Sequence, residues 1–145
     1  MEKSICERSQ FVMDFIERLC EKVNTLPKLP YPCSIGYLDD ENSLCVFSNP
    51  GGQELAHYMD GEMLELLNYQ FEIKTNKQSL AHNTLWEISS LIDSIHNLPS
   101  KDGSYDFEEI PSIGQPYPID VDEKGVWRYA LEIQAKLITR IEEEN

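Results

Sequence analysis

The most constraining feature of this 145-residue chain lies near its end. Trp127, Tyr129, Leu131, Ile133, Ala135 and Leu137 alternate with Arg128, Ala130, Glu132, Gln134 and Lys136. A period of two puts the first set on one face of an extended strand and the second on the other. No helix could bury the first set together, so the chain must build a sheet with one face in a core and the other in water. A second strand of the same kind is spelled by Leu67, Tyr69, Phe71 and Ile73, alternating with Asn68, Gln70, Glu72 and Lys74.

Two segments carry helical spacing instead. Ser4-Ile5-Cys6-Glu7 has the form of a capping box, and Ile5, Val12, Phe15, Ile16, Leu19 and Val23 form a stripe behind it. A helix is therefore expected over 1–26, stopped by Pro27 and Pro30. Thr75 and Gln78 offer a second capping box, and Ala81, Leu85, Ile88, Ile92 and Ile95 predict a helix over 77–98, ended by Pro99.

Short strands are expected over 33–38 and 44–48, joined as a hairpin by Asp39-Asp40-Glu41-Asn42. Asn49-Pro50-Gly51-Gly52 reads as a turn and Asp60-Gly61 as another, with a strand over 54–59 between them. A strand over 105–113 slips its alternation at Glu108-Glu109, which suggests a bulge. Pro111, Pro116 and Pro118 keep that stretch at a sheet edge or outside the sheet. This order is not a strict βαβ alternation. It predicts an α+β fold, a mostly antiparallel sheet with two long helices packed on one face. The chain reads as a single domain over 1–145, with the sheet over 33–139 and an acidic tail at 140–145.

Charge narrows the function. Asp and Glu total 26 against 12 Lys and Arg, a formal net charge of −14. Such a surface repels phosphate backbones and anionic lipid, so tight nucleic-acid binding and membrane attachment are not expected. No run approaches the ~20 apolar residues of a membrane span, and the first residues lead straight into an amphipathic pattern. The protein is expected in the cytoplasm at synthesis. Cys6, Cys20, Cys33 and Cys45 form no CxxC pair and read as reduced packing residues.

Tests for chemistry return nothing. His82 and His96 would sit about 21 Å apart on one helix, too far to share a small site. His57 lies in a segment of ambiguous structure, and the histidines read as surface or half-buried residues. Asp120-Val121-Asp122-Glu123-Lys124-Gly125 opens like a calcium loop, but Lys124 and Leu131 stand where oxygen ligands are required. It reads as a turn before a strand. Neither phosphate-binding glycine pattern is present. Trp86 and Trp127 read as core or interface anchors. No catalytic residue, metal or cofactor is expected.

A set of short motifs points to a family. Pro50-Gly51-Gly52, Tyr58-Met59-Asp60-Gly61 and Phe71-Glu72-Ile73-Lys74-Thr75 with Gln78 come first. Asn83-Thr84-Leu85-Trp86-Glu87-Ile88, Leu98-Pro99-Ser100 and Gly103-Ser104-Tyr105-Asp106-Phe107 follow, then Gln115-Pro116 and Asp122-Glu123-Lys124-Gly125. In this order over residues 35–139 the chain resembles minor capsid proteins of tailed phages and prophages of Gram-positive bacteria. That family is similar to tail terminator and head–tail joining proteins.

The resemblance implies a structural, non-enzymatic virion subunit with a tail-terminator-like fold. It implies a ring, usually a hexamer, at the head–tail junction, with the phage tail tube and head connector proteins as partners and DNA passing through. An acidic bore would let the duplex slide, because each basic contact to phosphate would slow it. Long loops in small domains tend to carry function. The contact loops are therefore expected at 51–61 and 110–122, with Pro50, Gly51, Gly52, Asp60, Gly61, Gln115, Pro116, Tyr117, Pro118, Asp120 and Asp122 as interface residues. The alternative is an acidic protein-binding module, such as a DNA-mimic inhibitor of a host nucleic-acid enzyme. Mimicry calls for regularly spaced carboxylates over one convex face, and a ring for two complementary patches.

Overall fold

The computed structural model describes residues 14–38 and 42–140. In chain order the elements are α1 (Phe15–Val23), β1 (Cys33–Ile35), β2 (Ser43–His57), β3 (Glu62–Thr75), α2 (Gln78–Asp93), β4 (Tyr105–Ile113), β5 (Tyr117–Val121) and β6 (Trp127–Arg140). The strands make one mixed six-stranded sheet in the order β1-β2-β3-β6-β4, with β5 also paired to β6.

β3 and β6 are its axis. They pair antiparallel without a register shift, from Glu62 opposite Arg140 to Thr75 opposite Trp127. The two alternating patterns thereby fall on the same side, with Tyr69 beside Ile133, Phe71 beside Leu131 and Ile73 beside Tyr129. All six side chains are buried, in one cluster with Phe15, Leu19 and Val23 of α1 and Ala81, Leu85, Ile88 and Ile92 of α2. Phe15 lies at its centre, 5.2 Å from the ring of Tyr69 and 5.4 Å, edge-on, from that of Tyr105.

Several expectations are corrected. The segments around 33–38 and 44–48 are not a hairpin, because β1 runs parallel to β2, with Cys33 opposite Leu44 and Ile35 opposite Val46. Gly36 ends β1 after three residues at φ 122°, a left-handed conformation that glycine tolerates, and its N–H donates to the Val46 carbonyl at 3.0 Å. The chain then returns to the start of β2, through Asp39, Asp40 and Glu41, which lie outside the described residues. On its other side β1 meets a side chain that imitates a strand. Asn24, the C-cap of α1, accepts from Cys33 N at 2.8 Å through Oδ1 and donates to Cys33 O at 3.0 Å through Nδ2.

Asn49-Pro50-Gly51-Gly52 is not a turn but a bulge within β2. Pairing with β3 shifts between Asn49 and Gln53 and then continues to His57 opposite Met63. Gly51 takes φ 101°, and at Gly52 a Cβ would stand 2.9 Å from the Leu66 carbonyl, so the bulge requires glycine twice.

The second capping box does not form. Lys77 is the N-cap of α2, Thr75 Oγ1 accepts from Lys77 N at 3.3 Å and from the Tyr31 hydroxyl at 2.9 Å, and Gln78 Nε2 donates to the Tyr129 hydroxyl at 2.9 Å. α2 stops at Asp93, six residues before Pro99, and the following Ile95 and Leu98 are buried outside any helix. α1 spans nine described residues and ends before Pro27. The Ser4–Glu7 box, Ile5, Val12, Cys6 and the acidic tail from 141 lie outside the described residues.

The strand over 105–113 forms as expected, with its slip between Phe107 and Glu109. Asp14 ties the loop before it to α1. Its carboxylate accepts from Ser100 Oγ at 2.6 Å, Ser104 Oγ at 3.3 Å and Lys101 N at 2.8 Å.

Phe15→Ala should lower the unfolding free energy by about 3–5 kcal/mol in urea titration, as expected for emptying a buried aromatic site. Tyr37→Ala, at a residue 87% exposed, should change it by no more than about 0.5 kcal/mol. Equal effects would contradict the core assignment.

Candidate functional site

The sheet face turned away from the core is built from the polar halves of the alternating patterns. Because partners in a ladder share a face, Asn49, Asn68, Gln134 and Ser112 form one row across four strands. Gln134 Nε2 donates to Asn68 Oδ1 at 3.1 Å, and Asn68 Nδ2 donates to the Pro50 carbonyl at 3.3 Å. An open cleft of about 420 Å³ lies over this row, with Pro50 of the β2 bulge on one wall and Gly114 on the other. Gly114 starts the short break between β4 and β5, where its N–H donates to the Glu132 carbonyl at 2.7 Å.

Further along the same face the charges are matched. Arg128 Nε and NH2 donate to the two Asp120 oxygens at 3.2 and 2.7 Å, and its NH1 lies 3.6 Å from Glu72 Oε1. Lys136 meets Glu109 at 2.9 Å, and the Tyr117 hydroxyl donates to Glu132 at 2.8 Å. Burial and the bond to Glu132 push the Tyr117 hydroxyl up to about 12. Glu72 is 8% exposed. Burial raises its carboxyl above the ordinary value, against the opposing pull of Arg128 and of the Gln70 amide, which donates at 2.6 Å.

The structure relocates most of the expected interface residues. The segments over 51–61 and 110–122 are not long loops, since β2 runs through the first to His57 and β4 and β5 occupy most of the second. Pro50 comes together with Gly114, which leads into Gln115 and Pro116, across the amide row. Asp60 and Gly61 form the tight turn between β2 and β3, Gly61 at φ 93° and Asp60 Oδ1 accepting from Glu62 N at 3.1 Å. Tyr117, Pro118 and Asp120 belong to β5, and Asp122 to the turn before β6, at the other end of the sheet.

All three of these carboxylates are occupied internally, Asp60 by the Glu62 N–H. Asp120 holds Arg128, and Asp122 Oδ1 accepts from the backbone N–H of Lys124 at 2.8 Å and of Val126 at 3.0 Å. Those bonds hold Asp122 below the usual carboxylate range and shape the turn before β6. Among the described residues no group of His, Cys, Asp and Glu could hold a metal ion, and no helix is long and apolar enough to cross a membrane.

Among the described residues no histidine meets a cysteine in a reactive pair. His57 lies 2.7 Å from Glu54, with both exposed, and His82 accepts from Trp86 Nε1 at 2.9 Å. His96 lies past the end of α2. Cys20, Cys33 and Cys45 are free and buried, and burial pushes the Cys45 thiol up to about 12. Missing from the sequence reading were β5 and the exposed apolar tip formed by Leu55, Tyr58 and Met59. Tyr58-Met59 directly before the Asp60-Gly61 turn signal was a readable cue for the tip.

With the geometry in place, a family model described as bacteriophage tail terminator protein matches residues 14–139. The chain belongs to the bacteriophage tail terminator family. No curated protein matches it. Tail terminator proteins are structural. Membership also implies contact with other virion proteins.

Glu72→Gln tests the outer face. Because burial raises the folded-state value, protonating Glu72 favours the folded form, an advantage complete below the unfolded value near 4.5 and lost as pH rises through the folded one. The amide variant should therefore melt higher than wild type at pH 7, with the difference closing as pH falls toward 4. A gain that persists unchanged at pH 4 would contradict the buried charge.

Proposed function

We propose that this tail terminator protein works as a subunit of a closed ring, six copies in number, at the head–tail junction of the virion. The ring caps the tail tube on one side, meets the head connector on the other and lets DNA pass. The family match across residues 14–139 carries this reading. The charge supports it, since a subunit of net charge −14 offers passing phosphates nothing to hold them. Ring contacts are heterologous, with one patch meeting a different patch and rotation closing the circle.

The DNA-mimic reading draws on net charge alone. On the outer face of the sheet Glu72, Asp120 and Glu109 are matched by Arg128 and Lys136, so this face offers no open row of carboxylates like a phosphate backbone.

Light scattering over a concentration series, with negative-stain images of the same fractions, should give particles near six times 16.8 kDa with a central hole. Filter binding should show no retention of duplex DNA at physiological salt. A strict monomer that captures a basic nucleic-acid enzyme would contradict the ring and favour mimicry.

A further inference from the structure

β1 has three residues and pairs with β2 along one edge. Its other edge rests on the end of α1, where Asn24 bonds both backbone groups of Cys33 and also reaches Cys20 Sγ at 3.8 Å. Cys20 stands one turn earlier on α1, and its Sγ donates to the Cys33 carbonyl at 3.1 Å. The two thiols are themselves in hydrogen-bonding contact. Both side chains belong to the buried cluster under the sheet.

The ladder keeps Cys45 out of this contact. Partners in a ladder share a face. Cys33 stands opposite Leu44 of the core cluster, whereas Cys45 stands opposite Ser34 and Glu72, on the outer face. The contact also makes the two thiols chemically unequal. Held by the Cys33 thiol, Cys20 ionises below the ordinary thiol value, while the same bond and burial raise Cys33. Cys20 is thereby the better nucleophile, with a second thiol against it to resolve what it forms.

We propose that Cys20 and Cys33 are an oxidisable pair that closes to a disulfide between α1 and β1 on meeting a low-molecular-weight disulfide such as oxidised glutathione. The Cys20 thiolate attacks one sulfur of that reagent, forming a mixed disulfide and expelling a small thiolate. Cys33 then gives up its proton and attacks Cys20 Sγ, which breaks the mixed disulfide and expels the second thiolate. The protein gives up two electrons and two protons, and the reagent takes them up as two thiols. Cys20 is 8% and Cys33 5% exposed, so the reagent enters as the short edge strand opens locally. Reducing thiols keep the pair open, and an oxidising medium closes it. The bond spans thirteen positions of the chain and adds a covalent tie to the hydrogen bonds of Asn24. This inference does not depend on the ring.

Peptide mapping tests it on the full chain. The protein is incubated with excess oxidised glutathione and its remaining thiols are alkylated. It is then digested with trypsin and a glutamate-specific protease, which separates Cys33 from Cys45 at Glu41. Mass spectrometry should find the Cys20 peptide linked to the Cys33 peptide, with Cys45 alkylated. The melting temperature should rise by roughly 5–10 °C and fall back on reduction. Cys33→Ala should show no rise and should keep glutathione on Cys20. Four alkylated thiols, glutathione left on one cysteine of the wild type, or a link from either cysteine to Cys6 or Cys45 would overturn the pairing. A Cys20–Cys33 link with an unchanged melting temperature would overturn its role as a tie.

Discussion

The fourteen-residue antiparallel ladder between β3 and β6 is the constraint on which the rest depends. Its unbroken register aligns two alternating sequences so that Leu67, Tyr69, Phe71 and Ile73 of one meet Ala135, Ile133, Leu131 and Tyr129 of the other. A slip of β3 by one residue against β6 would turn Phe71 and Ile73 into water and bring Glu72 into the core, so burial itself enforces the register. The helices complete this layer, and β2, β4 and β5 widen it. The ladder also fixes the distance between the two ends and gives the molecule its directionality.

The same ladder makes the outer face polar. Its side chains come in rows, and the rows satisfy themselves through the amides of Asn68 and Gln134, the guanidinium of Arg128 between Glu72 and Asp120, and Lys136 against Glu109. Partly exposed pairs of this kind add little stability. Their consequence is to balance charge across the middle of the sheet.

Both long strands, the bulge at Glu109, the turn at Asp60-Gly61 and the second helix were legible in the sequence, since period and turn chemistry are local signals. The parallel pairing of β1 was not. It depends on Gly36 turning the chain away and on Asn24 holding Cys33 from a distance of nine residues. The Pro50-Gly51-Gly52 segment carries the residues of a turn, yet the register available on β3 absorbs them as a bulge. Proline blurred β5, because Pro116 and Pro118 fit a sheet edge and an exit from the sheet equally well, and only the pairing of Pro118 opposite Tyr129 makes it a strand. The turn between β2 and β3 was readable, and the exposed Leu55, Tyr58 and Met59 beside it were overlooked. Asp120 and Asp122 were singled out, but Arg128 and the turn backbone already occupy them, and such pairing comes only with the fold.

The central claim, that this protein caps a tail, is tested most directly on tail tubes assembled without it. The purified protein is added and the tubes are imaged by electron microscopy. The account predicts a ring of added density at one end of each tube and no further lengthening when more tube protein is supplied. Density spread along the tube, or tubes that bind nothing and keep growing, would contradict it.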